Sequence, residues 1–366
     1  MPESIAANLT PKTPGRSILR GVLCLGLFFL GLWGGCWAIR EALPFPEVPA
    51  VKSKVEYFAA HHDDYDTLFL GSSRVYFQII PAIFDPLAAA QGLPTHSFNA
   101  GIADLRPPED AYYLDQLLRQ PPRHLRWVFI ELSNLRPGVN PNNTGTLRAV
   151  YWHDTPRLWI LFQRTLFALS AARSHRWKHT LENASEPLDL FSQHCALYLQ
   201  NLTNLGRGSI FTGRFLDLDL PPPALPGETL GDDLAGWIPS GAPEIMTGPA
   251  LATYDKELAE RRAQKQRGDP GDPVSQQAHE AMIAKIEKLG ATPVLVVTPT
   301  IRKTHFIPTP ERARKTLVLD FSDLDRFPEL YEQRYRLDNE HLNTAGAKVF
   351  TRLFAQTWAD EVKRQR

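Results

Sequence analysis

Between Arg20 and Arg40 the chain runs for nineteen residues, Gly21–Ile39, without a charged side chain. At about 1.5 Å of rise per residue, a helix of that length reaches across a hydrocarbon layer of roughly 30 Å. The segment divides the chain into a tail (1–20), a transmembrane helix (21–39) and a large remainder, and makes the lipid bilayer its first expected partner. A cleaved secretory signal fits poorly. The apolar run is longer than a usual signal core, and Ala38-Ile39-Arg40 and Arg40-Glu41-Ala42 both place arginine where a small residue belongs. A lipoprotein signal ending at Cys36 has Gly34-Gly35 in place but Trp33 where a small aliphatic residue is wanted. Lys12, Arg16 and Arg20 before the run balance Arg40, Lys52 and Lys54 after it. Orientation therefore rests on the short tail and the large remainder: tail in the cytoplasm, C-terminal domain periplasmic or extracellular.

Residues 40–62 read as a juxtamembrane spacer, because Leu43-Pro-Phe-Pro-Glu-Val-Pro49 is extended and stiffened by proline. Residues 63–366 read as an α/β domain. Short apolar runs at Thr67–Leu70, Thr95–Asn99, Trp127–Leu132, Pro293–Thr298 and Thr316–Phe321 predict strands of a parallel sheet buried on both faces. Helical spacing over Pro107–Arg119, Val274–Leu289 and Asn343–Val362 supplies the covering layers, giving a three-layer α/β/α architecture. Residues 139–273 break this rhythm and predict a mainly helical insertion, with proline- or charge-rich breaks at Leu220–Gly227 and Arg261–Pro273. Because it leaves after the third strand, the insertion is expected to lie over the site as a cap.

Composition excludes more than it assigns. Forty basic residues against forty acidic ones, with no basic cluster, argue against a nucleic-acid partner. Cys24 and Cys36 fall in the apolar run, leaving Cys195 as the one thiol of the remainder, so no disulfide or cysteine metal cluster is available there. Cys195 itself reads as a small buried residue rather than a reactive thiol.

Two short motifs at opposite ends of the domain carry chemistry. Asp66-Thr-Leu-Phe-Leu-Gly71-Ser72-Ser73-Arg74 ends an apolar run in a Gly-Ser turn, which puts a serine hydroxyl at the carboxyl end of a strand. Asp338-Asn-Glu-His341-Leu-Asn343 places a carboxylate three residues before a histidine, and of the eleven histidines His341 alone has an acid at that offset. The acid can hold one imidazole nitrogen while the other faces the serine.

These blocks resemble those of the SGNH (GDSL-like) hydrolase superfamily, in which a Gly-Asp-Ser block follows the first strand and an Asp-x-x-His block precedes the last helix. Gly71-Ser72-Ser73 departs from Gly-Asp-Ser and is similar to the variant of membrane-anchored relatives that act on cell-envelope polymers. The resemblance runs from about Asp66 to the C-terminus, interrupted by the insertion. It implies a flavodoxin-like fold, with Ser73, Asp338 and His341 as catalytic residues. Ser97-Phe-Asn-Ala-Gly101 is similar to the second block and implies the Ser73 and Gly101 amides as oxyanion donors. In place of the third block's Gly-x-Asn-Asp stands Leu132-Ser-Asn134-Leu, which implies Asn134 as a further donor.

Arg74 and Arg106 flank the two early blocks and are candidates for contact with an anionic or polyhydroxy substrate. Trp152 and His153, in Tyr151-Trp-His-Asp154, suit stacking on a sugar ring, although their composition equally suits a core. No metal ligand set stands at helical spacing, Gly206-Arg-Gly-Ser209 lacks the following Gly-Lys-Ser/Thr of a phosphate loop, and Gly-x-Ser-x-Gly is absent. The expectation is a cofactor-free, membrane-anchored serine esterase or O-acyltransferase acting on acetyl-like esters of an envelope or secreted glycan. The alternative is a catalytically inactive SGNH-like scaffold of a glycan-modification or export complex, beside a multi-spanning acyltransferase.

Overall fold

The computed structural model describes residues 14–173, 180–204, 229–241, 245–263, 268–269, 271–302 and 306–365. The Leu220–Gly227 break, Gly206–Ser209 and most of the 1–20 tail lie outside them. Helix α1 (Pro14–Ala42) contains one segment, Ile18–Ala42, long and apolar enough to cross a membrane. It exceeds the expected 21–39 span because the helix continues through Arg40 and Glu41.

Helix α2 (Pro49–His61) follows after six residues. Here the expected 40–62 spacer is corrected: Val51 and Phe58 are fully buried, so α2 belongs to the domain. Lys54 in the same helix is also fully buried. Its ammonium donates to the carbonyls of Asn99 and Gly101 at 2.7 Å and of Gly236 at 2.6 Å, and lies 3.8 Å from the centre of the Tyr76 ring. Burial pushes this amine well below its ordinary pKa, while the three oxygens satisfy its three N–H donors.

The sheet forms from β1 (Thr67–Leu70), β2 (Ser97–Asn99), β3 (Trp127–Glu131), β4 (Thr292–Val297) and β5 (Leu317–Asp320). All pairings are parallel, in the order β2-β1-β3-β4-β5. Each expected strand is present within a residue or two of its predicted ends. Between them lie α3 (Ser73–Tyr76), α4 (Pro81–Ala90) and α5 (Glu109–Leu117). The 139–273 region carries α6 (Leu147–Val150), α7 (Thr155–Arg173), α8 (Thr180–Leu202) and α9 (Gly248–Ala263), and α10 (Pro273–Lys288), α11 (Pro310–Lys315) and α12 (Thr344–Gln365) complete the fold.

Alternation along the strands builds the layers. Leu68, Leu70, Val128, Ile130, Leu295 and Val297 join one cluster with residues of α2, α5 and α10. Phe69, Phe129, Val294, Val296 and Leu319 join the other with α4, α9 and α12. In that second core Phe69 and Phe129 lie 4.8 Å apart, and Phe84 lies 5.3 Å from Trp358. Asp272 starts α10 by accepting the N–H groups of Val274 and Ser275.

The helical hairpin of α7 and α8 packs beside α1 rather than over the turn after β1. Asn204 donates to the Cys36 carbonyl at 2.9 Å, and Arg40 donates to the Asn201 carbonyl. The 229–237 segment instead runs against β2, where Asn99 N–H donates to the Ala235 carbonyl at 2.8 Å.

Candidate active site

The turn after β1 and the loop after β3 meet at the carboxyl end of the sheet, between the strands where the order reverses. Gly71 makes the first turn possible: a Cβ there would stand 2.3 Å from Val75 Cγ2 and 2.6 Å from Glu131 Oε2. Ser72 then caps α3, its Oγ accepting the Arg74 N–H at 3.3 Å. This turns the next hydroxyl outward, and Ser73 Oγ donates to His341 Nε2 at 2.7 Å.

His341 is held from the other side by Asp338, with Nδ1 2.8 Å from Oδ2 and 3.0 Å from Oδ1. Asp338 Oδ1 also accepts the Glu340 and His341 N–H groups at 2.7 and 2.8 Å. Partial desolvation raises the Asp338 pKa, but the hydrogen bond and charge of His341 and the two backbone donors outweigh it and hold the carboxyl at about 2. The loop is closed at its base by an antiparallel bridge between Arg336 and Leu342 and by Leu337 N–H donating to the His341 carbonyl at 2.9 Å. Arg336 is fully buried, donates to the Asp338 carbonyl at 3.1 Å, and lies 5.8 and 5.7 Å from the Tyr254 and Tyr331 ring centres. Leu342 anchors in the core and the Asn343 side chain accepts the Gly346 N–H at 2.8 Å, starting α12. The Asp-x-x-His-Leu-Asn spacing thus combines a carboxylate–imidazole pair, a core anchor and a helix cap.

Glu131, which the sequence reading passed over, lies beneath this turn. Its side chain is 1% exposed and meets Arg74 Nε at 2.6 Å, the Ser72 N–H at 2.6 Å and Thr298 Oγ1 at 3.1 Å. The available signal was an acid ending an otherwise apolar strand.

Ser73, His341, Arg74, Arg106 and Asn134 line one cavity of about 270 Å³, which Leu105, Leu132 and Phe306 make partly apolar. The Ser73 N–H, in the first turn of a helix, has no intrahelical acceptor. Gly101 is a correction. Its N–H donates to Asn99 Oδ1 at 2.9 Å, and a Cβ there would lie 2.4 Å from the Tyr76 nitrogen, so its role is close packing behind α3. Trp152 and His153 are corrected too. They are buried, stack on each other at 3.7 Å, and His153 Nε2 meets His194 Nδ1 at 2.9 Å. The two residues form core behind the cavity rather than a sugar platform. Arg74 is committed to Glu131 rather than free for a ligand.

The expected cap is corrected in its first half. Among the described residues, α7 and α8 supply nothing to the cavity that Ser73 and His341 line. Helix α9 borders the histidine loop instead, where Glu257 accepts a hydrogen bond from Asn339, and lines an adjoining hollow of about 600 Å³ with Arg302 and Glu340. No group of metal-ligating side chains occurs among the described residues. Compared with known proteins, the chain matches no family model and no curated protein.

Proposed function

We propose that this chain is a membrane-anchored serine esterase or O-acyltransferase with an SGNH-like fold, α1 anchoring a catalytic domain outside the cytoplasm. The observation that carries this reading is the unbroken series Ser73 Oγ, His341 Nε2, His341 Nδ1 and Asp338, linked at 2.7 and 2.8 Å. The substrate class is an ester of a short acyl group on an envelope or secreted glycan.

In the first half-reaction Ser73 Oγ forms a bond to the ester carbonyl carbon as its proton passes to His341 Nε2. Asp338 stabilises the resulting imidazolium, and the Ser73 N–H, with Asn134, faces the oxyanion. The bond between carbonyl carbon and leaving oxygen then breaks, and the alcohol departs with the His341 proton. Water or a glycan hydroxyl gives its proton to His341 and attacks the acyl-serine, releasing acid or a new ester and restoring the serine.

A fluorophosphonate probe on the full-length protein tests the reading. Labelling at Ser73, lost in Ser73→Ala and kept in Ser72→Ala, is the expected result. Loss in Ser72→Ala alone would place the nucleophile one residue earlier. One observation favours the non-catalytic scaffold, namely the Gly101 amide spent on Asn99. Absence of any serine labelling in folded protein would select that reading.

A further inference from the structure

Building on Ser73 as the nucleophile, we infer that the substrate carries an anionic group, a phosphate or carboxylate, on the alcohol side of its ester. Arg136, flanked by Arg106 and Arg302, binds that group.

Four arginines and two carboxylates wall the catalytic cavity. Three arginines are matched: Arg74 with Glu131 at 2.6 Å, Arg106 with Asp104 at 3.0 Å, and Arg302 with Glu340 at 2.7 Å. Arg136 has no ion pair or hydrogen bond among the described residues. Although Arg136 is exposed, partial desolvation and then the like charges of Arg106 and Arg302 push its guanidinium below the ordinary value, against the weaker pull of Glu340 and Asp104. A guanidinium placed among like charges beside a nucleophile is relieved by a bound anion, and its planar fork suits the paired oxygens of phosphate or carboxylate.

The side of the ester follows from the proton path. His341 protonates the leaving alcohol, so that alcohol lies toward the histidine loop. Arg302 pairs with Glu340, the residue before His341, and so stands on the same side. Arg302 and Glu340 are also shared with the adjoining hollow of about 600 Å³, which gives a polymeric alcohol room to continue past the site. The cavity therefore holds one cation more than its ion pairs use, and that cation, Arg136, lies near enough to Arg302 and Glu340 to feel their charges.

The test uses the full-length protein in detergent and three acetyl esters: a neutral methyl glucoside, a methyl glucuronoside and glycerol 3-phosphate. The charged esters should exceed the neutral one in kcat/KM by about tenfold, and added salt should shrink the difference. Arg136→Gln should bring the charged-to-neutral ratio near one, mainly through KM, with partial recovery in Arg136→Lys. Equal kcat/KM for all three esters overturns the anionic substrate while leaving the esterase intact. Whichever charged ester leads identifies phosphate or carboxylate. If no ester turns over, calorimetry with glycerol 3-phosphate and methyl glucuronoside on Ser73→Ala decides separately. Binding that disappears on adding Arg136→Gln retains the anion site without the catalytic reading, and no binding of either anion removes it.

Discussion

Glu131 accepts the backbone N–H of Ser72 at 2.6 Å, and so fixes from below the turn that presents the Ser73 hydroxyl to His341. The same carboxylate holds Arg74 against the turn. Replacing it by glutamine should leave a partly buried arginine with only its longer contact to Glu340 at 3.8 Å, costing about 2 kcal/mol of stability. Turnover should fall with it, because the Ser73 hydroxyl loses its aim. Urea unfolding and ester hydrolysis on Glu131→Gln measure both. Full stability with full activity would show that the ion pair is incidental.

Asp338 should act through His341. Asp338→Asn keeps the size of the side chain but favours the wrong imidazole tautomer, so turnover should fall by up to about 10⁴. His341→Ala should be at least as damaging, and the double variant little worse than His341→Ala alone. Losses that multiply would give the carboxylate a separate task.

The same carboxyl predicts a pH effect on stability. Its folded pKa of about 2 lies below its ordinary 3.8, so its contribution is complete above the unfolded value and is lost as pH falls through about 2. The stability gap between the wild-type protein and Asp338→Asn should therefore narrow between pH 4 and pH 2. Denaturant midpoints across that range check it, and a constant gap would mean that the carboxyl is not stabilised in the native state.

Gly101 and Asn134 should separate cleanly. Gly101→Ala forces a methyl group into the Tyr76 backbone, so stability should drop by about 1–3 kcal/mol and activity with it. Asn134 is exposed on the cavity wall, and Asn134→Ala should spare stability while lowering kcat by about 10²-fold. An Asn134→Ala enzyme with unaltered kcat leaves the oxyanion to the Ser73 amide.

The buried histidine pair behind the cavity predicts a loss of stability in the same direction but in milder acid. Burial first, and the neighbouring His194 second, lower His153 to about 3, and burial lowers His194 as well. Both stay neutral in the folded protein while the unfolded chain takes up protons below pH 6.5, so stability should fall as pH drops from there toward 3. Replacing both by leucine should flatten that decline. Thermal midpoints between pH 7 and pH 4 read the difference.

The strands and the meeting of the serine block with the acid–histidine block were legible because apolar runs, a glycine turn and an acid-to-histidine offset are local patterns. What escaped was decided across the fold. Spacing placed Gly101 near Ser73 but cannot tell that Asn99 takes its N–H. Tyr151-Trp152-His153 has the same composition whether it lines a sugar site or a core, and packing chose the core. Helix α2 read as a spacer because its prolines and lysines look solvated, whereas three carbonyls from distant segments bury Lys54. Glu131 looked like the end of a strand until its partners arrived from the turn after β1.

Lys54 also shortens the leash. With α2 locked to the domain, the free connection from the anchor is Leu43–Val48, at most about 20 Å even if pulled straight. Those residues are in part folded down, since Leu43 and Val48 are buried. Under the proposed anchoring and activity, Ser73 patrols a thin shell above the bilayer, and its working height is a property of the fold. A soluble fragment cut at residue 62 would leave the Asn99, Gly101 and Gly236 carbonyls without their cation, whereas one cut ahead of Pro49 would carry the clamp with it.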